Sequence, residues 1–212
     1  MKRVLYLGID PPRSTNDIEY THHPLIKIIP RDPSSPDIQQ MIQRIEEFTH
    51  LIVTSKNTVR CLATITDYRF PNTQVIAVGK ETAVLLKKEG FPQAKAPGEE
   101  TAEGILKILS AENFSNSLVL WPHSALSRSI IANYLKARSI PTEAPIIYNT
   151  VPNKELKLRD DLDSFDALYF TSPSCVDAFI LLYGSLPRST NIESIGPVTS
   201  RYLRSSFLLN NS

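Results

Sequence analysis

LIVTSKNTV, residues 51–59, returns as LYFTSPSCV, residues 168–176, and this repeat decides the fold. A second pair keeps the same spacing, with VIAVGKETA at 75–83 and IESIGPVTS at 192–200. Ser172 follows Ser55 by 117 residues, and Gly196 follows Gly79 by the same 117. Each copy reads strand, helix, strand, helix, so the architecture is duplicated. Alternating strands and helices predict parallel sheets covered by helices.

The fold class predicted is α/β, with two parallel-sheet domains, a two-stranded connector and a cleft between the domains. Residues 1–29 and 149–212 are expected to form a discontinuous domain, with 36–144 inserted into it. Proline-bounded segments at 24–35 and 144–152 are the predicted connector strands. The predicted helices are 56–66, 80–89, 101–110, 124–138, one near 154–163, 173–182 and 197–205.

Composition narrows the classes of function. The net charge of +1 argues against a nucleic-acid partner, and no apolar run approaches the roughly 18 residues that a membrane span needs. MKRVLYLGID reads as a first strand rather than a signal peptide, so a cytoplasmic protein is expected. Cys61 and Cys175 are predicted to be reduced core residues, and the pair His22 and His23 to lie on a loop surface. The histidine spacing predicts no metal site.

The helix starts carry the chemistry of the repeat. Ser55 and Ser172 stand where an N-cap belongs, and Pro173 follows at the first helical position. Gly79 and Gly196 take the same place in the next unit. Unpaired N–H groups and the positive dipole end make such helix starts suitable for carboxylates or phosphates. The alternative is that these four residues only cap their helices and bind no ligand.

Further candidate groups flank these turns. Five hydroxyl side chains could add hydrogen-bond donors: Thr54, Thr82, Thr171, Ser174 and Thr199. Three cations could bind a polyanion or stand as solvated charges: Lys56, Lys80 and Arg128, with Arg128 expected one turn into its helix. His123 could be an acid or base, or only polar surface. Because glycine-rich nucleotide loops are lacking, an enzyme that uses a dinucleotide or ATP is not expected.

Six motifs in order resemble the uroporphyrinogen-III synthase family over most of 50–203. They are Thr-Ser-x-x-x-Val at 54–59, AVGKETA at 77–83, ETAEGIL at 100–106, YNT at 148–150, FTSPS at 170–174 and IGPVT at 195–199.

This resemblance implies a cofactor-free enzyme that closes a linear tetrapyrrole, hydroxymethylbilane, to uroporphyrinogen III. The last pyrrole ring is inverted and water is lost. Tyr148 matches the family's connector tyrosine, a candidate proton donor, with a packing role as the alternative. Thr199, Ser172, Ser174 and Ser55 match turns that face the substrate. A monomer is expected.

The chain departs from the family pattern near both of its ends. About fifteen residues separate the first strand from the linker, too few for a full helix, and the arginine usual after that strand is absent. The chain also stops at SSFLLNNS, without the final strand and helix. The discontinuous domain is therefore expected to be abbreviated. A non-catalytic binding or regulatory protein of the same fold, or an unrelated α/β enzyme, are the competing hypotheses.

Overall fold

A computed structural model describes residues 1–97, 102–187 and 190–209. The chain divides into two compact units. The discontinuous unit combines Met1–Ile28 with Thr150–Ser212, and the inserted unit is Ile29–Asn149. Glu100 and Thr101, which begin one of the six motifs, lie outside the described residues.

The strands and helices alternate along much of the chain. The strands are β1 Lys2–Tyr6, β2 Ile18–His22, β3 Ile26–Pro30, β4 His50–Val53, β5 Gln74–Ala77, β6 Ala94–Lys95, β7 Val119–Leu120, β8 His123–Ser124, β9 Thr142–Glu143, β10 Ile146–Pro152, β11 Ala167–Phe170 and β12 Ile192–Ser194. The helices are α1 Pro36–Gln43, α2 Lys56–Ile65, α3 Lys80–Lys88, α4 Ala102–Ala111, α5 Ile130–Ala137, α6 Pro173–Tyr183 and α7 Gly196–Leu209.

The inserted unit is built on a five-stranded sheet in the order β6-β5-β4-β7-β9, with every described pairing parallel. All four residues of the central strand β4 are buried. A fully buried strand of this kind belongs in a parallel sheet with both faces covered. Ile52 and Ile76 from the sheet pack with Ile105 of α4 and Leu135 of α5 in one hydrophobic core.

The discontinuous unit holds a four-stranded parallel sheet in the order β12-β11-β1-β2. Leu5 and Leu168 contribute from the sheet to a core completed by Phe179 of α6 and Leu203 of α7. The prediction of an α/β fold with parallel sheets is confirmed.

A third sheet places β10 between β3 and β8. Strands β8 and β10 run parallel, with Ile146 opposite His123 and Tyr148 opposite Ser124. This pairing fixes the backbone around the tyrosine that the sequence singled out.

One predicted helix is wrong, and another starts later than predicted. The segment near 154–163 contains only a 3-10 turn, Leu162–Ser164. Its apolar residues Leu156 and Leu158 are two apart, so they would point to different sides of a helix. The helix expected at 124–138 begins only at Ile130. Ser124 belongs to β8 instead, and its Oγ accepts a hydrogen bond from the Leu126 N–H at 3.1 Å, which forms a turn.

The expectation of a surface loop is wrong for His23, and for His22, which is exposed, it is wrong only in that the residue belongs to a strand. His22 ends β2, and its Nε2 lies 2.9 Å from the Gly8 carbonyl oxygen. His23 is 4% exposed, and its Nε2 lies 2.8 Å from the phenol oxygen of Tyr183. Burial lowers the pKa of His23.

Candidate active site

Ser55 and Ser172 each cap a helix, as the repeat predicts. The Oγ of Ser55 accepts a hydrogen bond from the Thr58 N–H at 3.1 Å, at the start of α2. The Oγ of Ser172 accepts one from the Cys175 N–H at 3.2 Å, at the start of α6. Both serines have an extended backbone, with φ of −157° and −164°. Each cap satisfies one of the amide groups that a helix start leaves unpaired.

Ser55 also connects to Tyr148. The Ser55 Oγ lies 2.9 Å from the phenol oxygen of Tyr148 and 3.0 Å from the Oγ1 of Thr58. Tyr148 is 5% exposed and Thr58 is fully buried. The structure therefore brings two predicted site residues together within the inserted unit, at the positive end of α2.

Thr58 is the member of this group that sequence reasoning missed. It stands three residues after the capping serine, so its amide and its hydroxyl both reach the Ser55 Oγ. The sequence contains the signal for this contact. In the Ser-x-x-Thr spacing at 55–58, the threonine stands at the position whose amide an N-cap serine binds. In the other copy the same position is Cys175, whose Sγ contacts the Leu7 carbonyl oxygen at 3.1 Å.

The second serine turn has different neighbours. The Ser172 Oγ lies 2.9 Å from the Ser174 Oγ, so two further site residues meet within the discontinuous unit. Thr171 packs tightly beside Gly8, where an added Cβ would lie 2.5 Å from both the Cγ2 and the Oγ1 of Thr171. Gly8 thus permits the segment that follows β1 to approach the start of α6.

The two glycine starts differ from each other. Gly79 caps α3 with φ −152°, an extended conformation open to any residue. Gly196 begins α7 with φ +66°, in the left-handed region that favours glycine. The prediction that both act as the same N-cap therefore holds for Gly79 alone. Thr82 and Thr199, three residues later in each copy, are 6% and 3% exposed.

Within each unit, the helix starts meet at one edge of a sheet. Ser55 and Gly79 follow the paired parallel strands β4 and β5. Ser172 and Gly196 follow the paired parallel strands β11 and β12. Ligands of open α/β sheets bind at the carboxyl ends of such strands.

The predicted cations lie close to these turns in the chain. Lys56, the first residue of α2, is half-buried, as is Thr54, and Lys80, the first residue of α3, is exposed. Arg128 is exposed and precedes α5, so the expectation that it lies one turn into a helix is wrong.

The cysteines do not supply a nucleophile. Cys61 and Cys175 are free and buried, as predicted. Burial raises the pKa of the Cys175 thiol to about 12 and also raises that of Cys61. Both groups are therefore thiols near neutral pH, and the thiolate is the reactive form.

The described part of the chain contains neither a cluster of metal-ligating side chains nor a helix suited to a membrane. No set of three or more His, Cys, Asp or Glu side chains there is arranged to hold a metal ion. Of the helices in the same residues, none combines the length and apolar character required to cross a membrane.

Parallel sheets whose strands lead into serine- and glycine-started helices define an α/β protein suited to an anionic ligand. Residues 14–209 match the family model described as Uroporphyrinogen-III synthase HemD. The chain belongs to the uroporphyrinogen-III synthase family. It is thus a cyclising enzyme of the lyase type, in haem biosynthesis.

Solved structures agree with this fold. Uroporphyrinogen-III synthetase from Helicobacter pylori is 20% identical, with a TM-score of 0.65 over 97% of this chain and 89% of that one. A mutant uroporphyrinogen III synthase from Thermus thermophilus is 19% identical, with a TM-score of 0.64 over 98% of this chain and 90% of that one.

Proposed function

We propose that this enzyme converts hydroxymethylbilane to uroporphyrinogen III, with Tyr148 as proton donor and the helix starts as sites for the substrate's acetate and propionate carboxylates. The family match implies a tetrapyrrole substrate. A carboxylate is stabilised at a helix N-terminus by the dipole and by unpaired N–H groups. The residues proposed for binding are Thr54, Ser55, Lys56, Gly79, Lys80, Thr82, Arg128, Thr171, Ser172, Ser174, Gly196 and Thr199.

The observation that carries the assignment of Tyr148 is its 2.9 Å contact with the Ser55 Oγ. A serine hydroxyl has one proton to donate and two lone pairs to accept with. The Thr58 N–H occupies one lone pair, and the Thr58 hydroxyl can occupy the other. The Ser55 proton then points to the Tyr148 oxygen, which leaves the phenol proton available to the substrate.

The chemistry follows from this arrangement. Tyr148 gives its proton to the departing hydroxyl of the substrate, the carbon–oxygen bond breaks, and water leaves. The remaining methylene is electrophilic. Attack on it by the substituted carbon of the last pyrrole ring forms a spiro intermediate, which reopens and closes in the inverted sense. The final loss of a carbon-bound proton returns that proton to Tyr148, so the net change is the loss of one water.

Ser55 and α2 support the charge that develops on Tyr148. A phenolate accepts the Ser55 hydroxyl proton, and the positive end of α2 lies behind that serine. Donors fixed in place before the reaction stabilise developing charge without reorganisation. The substrate carries its own leaving group, so the enzyme mainly positions it and stabilises charge.

We further propose that the enzyme acts as a cytoplasmic monomer. Two free cysteines buried in separate units are compatible with a reducing compartment. Light scattering coupled to size-exclusion chromatography should give the mass of a single 23.8 kDa chain. A mass of twice that value would contradict the monomer.

The direct test is incubation with freshly generated hydroxymethylbilane, followed by separation of the type I and type III isomers. Spontaneous closure without protein gives type I and provides the baseline. We expect type III to form in proportion to enzyme concentration. Type I alone, from protein shown to be folded by circular dichroism, would overturn the proposal.

A further inference from the structure

His123 holds an unusual position beside the strand that carries Tyr148. Both of its ring nitrogens face backbone carbonyl oxygens, with Nδ1 2.8 Å from that of Ser124 and Nε2 3.1 Å from that of Ala144. The ring also stacks on Trp121, with centroids 4.4 Å apart and planes inclined by 23°. Trp121 is 3% exposed and belongs to the core of the inserted unit.

These contacts join two backbone segments that flank Tyr148. Ser124 is opposite Tyr148 in the pairing of β8 with β10, and Ala144 lies two residues before β10 begins. The Ala125 N–H donates to the Tyr148 carbonyl oxygen at 3.1 Å, and the His123 N–H donates to that of Pro145 at 3.0 Å. The imidazole thus adds a side-chain link to a short parallel pairing that has few backbone bonds.

We propose that His123 is a positioning residue for the cyclisation, holding β10 so that the Tyr148 phenol stays on Ser55. Through Nε2 the ring contacts the segment entering β10, through Nδ1 it contacts the Ser124 carbonyl oxygen, and Trp121 packs against its face. A neutral imidazole has one N–H and donates to one of the two carbonyls, whereas the cation donates to both. Displacing a reacting group by about 1 Å can cost up to 10²-fold in rate.

The charged residues around the ring leave this role intact. Glu143 precedes Ala144, and its carboxylate is bound by Arg44. Arg128 lies exposed in the turn that follows β8. Strand β10 carries Tyr148 as its one titratable side chain. The link is therefore between the imidazole and backbone carbonyls.

His123→Phe tests the proposal, because phenylalanine keeps a ring on Trp121 and removes both nitrogens. We expect turnover to fall about 3- to 10-fold with KM changed less than about 2-fold. The Ala125 amide should exchange its proton at least about 10-fold faster in hydrogen-exchange NMR. His22→Phe is the matched control, since His22 contacts one carbonyl in the other unit and should change neither quantity.

The inference rests on the proposed role of Tyr148, and a double variant separates the two ideas. If His123 acts through Tyr148, adding His123→Phe to Tyr148→Phe should lower turnover by less than about 2-fold further. Additive losses, or unchanged Ala125 exchange in His123→Phe, would overturn the positioning role while Tyr148 stayed the donor. Full turnover in Tyr148→Phe would instead reject the donor, and with it the role assigned to His123.

Discussion

Ser55 and Ser172, 117 residues apart, make the same capping hydrogen bond and differ in the hydroxyl groups that they also contact. Each Oγ accepts from the backbone N–H three residues later. Ser55 has Tyr148 as an additional partner, whereas Ser172 has Ser174. The duplicated turn thus keeps its structural function in both copies, and in one copy it also supports a phenol.

Alanine at each serine separates these two roles. Loss of an N-cap costs about 1 kcal/mol, so Ser55→Ala and Ser172→Ala should each lower the free energy of unfolding by roughly that amount. Ser55→Ala should also reduce turnover about 10-fold or more, because Tyr148 loses its hydrogen-bond donor. Ser172→Ala should act on KM instead. Urea titrations and steady-state rates measure both effects, and equal turnover in the two variants would contradict the assignment.

Tyr148→Phe removes the proposed proton donor. Turnover should fall about 10-fold or more, the contribution of a positioned acid, with a smaller change in KM. The isomer assay measures this. Tyr134→Phe is the matched control in the same unit, because the Tyr134 hydroxyl is buried and has no hydrogen-bond partner in the part of the chain that the structure describes. Removing that hydroxyl should leave turnover unchanged and keep or slightly raise stability. Normal turnover in Tyr148→Phe would leave the tyrosine a packing role.

The repeat made the two parallel sheets and their capped helix starts predictable. Apolar strands such as Leu51–Val53 and a serine at the turn are local signals that survive in a single sequence. The strand Ile18–His22 was missed, because parallel neighbours usually need a longer connection with a helix. Here Leu7–Asp17 joins β1 to β2 without a helix.

The contacts of the site were less predictable than its turns. Tyr148 and Ser55 are 93 positions apart, and only the pairing of β10 with its neighbours brings them together. Arg128 lies before α5 rather than within it, because Ser124 belongs to β8 and the helix starts later. The pattern of apolar residues does not reveal that Ser124 pairs with a strand. Long-range pairing therefore limits sequence reasoning here, whereas local capping does not.

The cations proposed to bind carboxylates should affect substrate affinity. Lys80 starts α3 and Arg128 is exposed in its turn. Replacing either with alanine should raise KM more than it lowers turnover, as expected when an interaction is the same in ground and transition states. Lys88→Ala is the control, because Lys88 lies exposed at the opposite end of α3. A loss confined to turnover would contradict the binding role.

His50 should make the inserted unit less stable in acid. It is 3% exposed, its Nε2 has no hydrogen-bond partner among the described residues, and burial lowers its pKa. The unfolded chain, with an ordinary histidine pKa near 6.5, therefore binds the proton first. Stability contributed by the neutral ring is complete above about pH 6.5 and is lost as the pH falls from there toward the pKa of the folded state.

His50→Phe should flatten this dependence. Phenylalanine keeps a ring against Phe114, and the Thr49 hydroxyl keeps its contacts with the Leu118 backbone. Trp121 is the single tryptophan, so its fluorescence follows unfolding of the inserted unit in urea. Between pH 8 and pH 5.5 the wild type should lose more stability than the variant, by at most about 1.4 kcal/mol per pH unit below 6.5. Parallel curves would mean that His50 takes up its proton equally in both states.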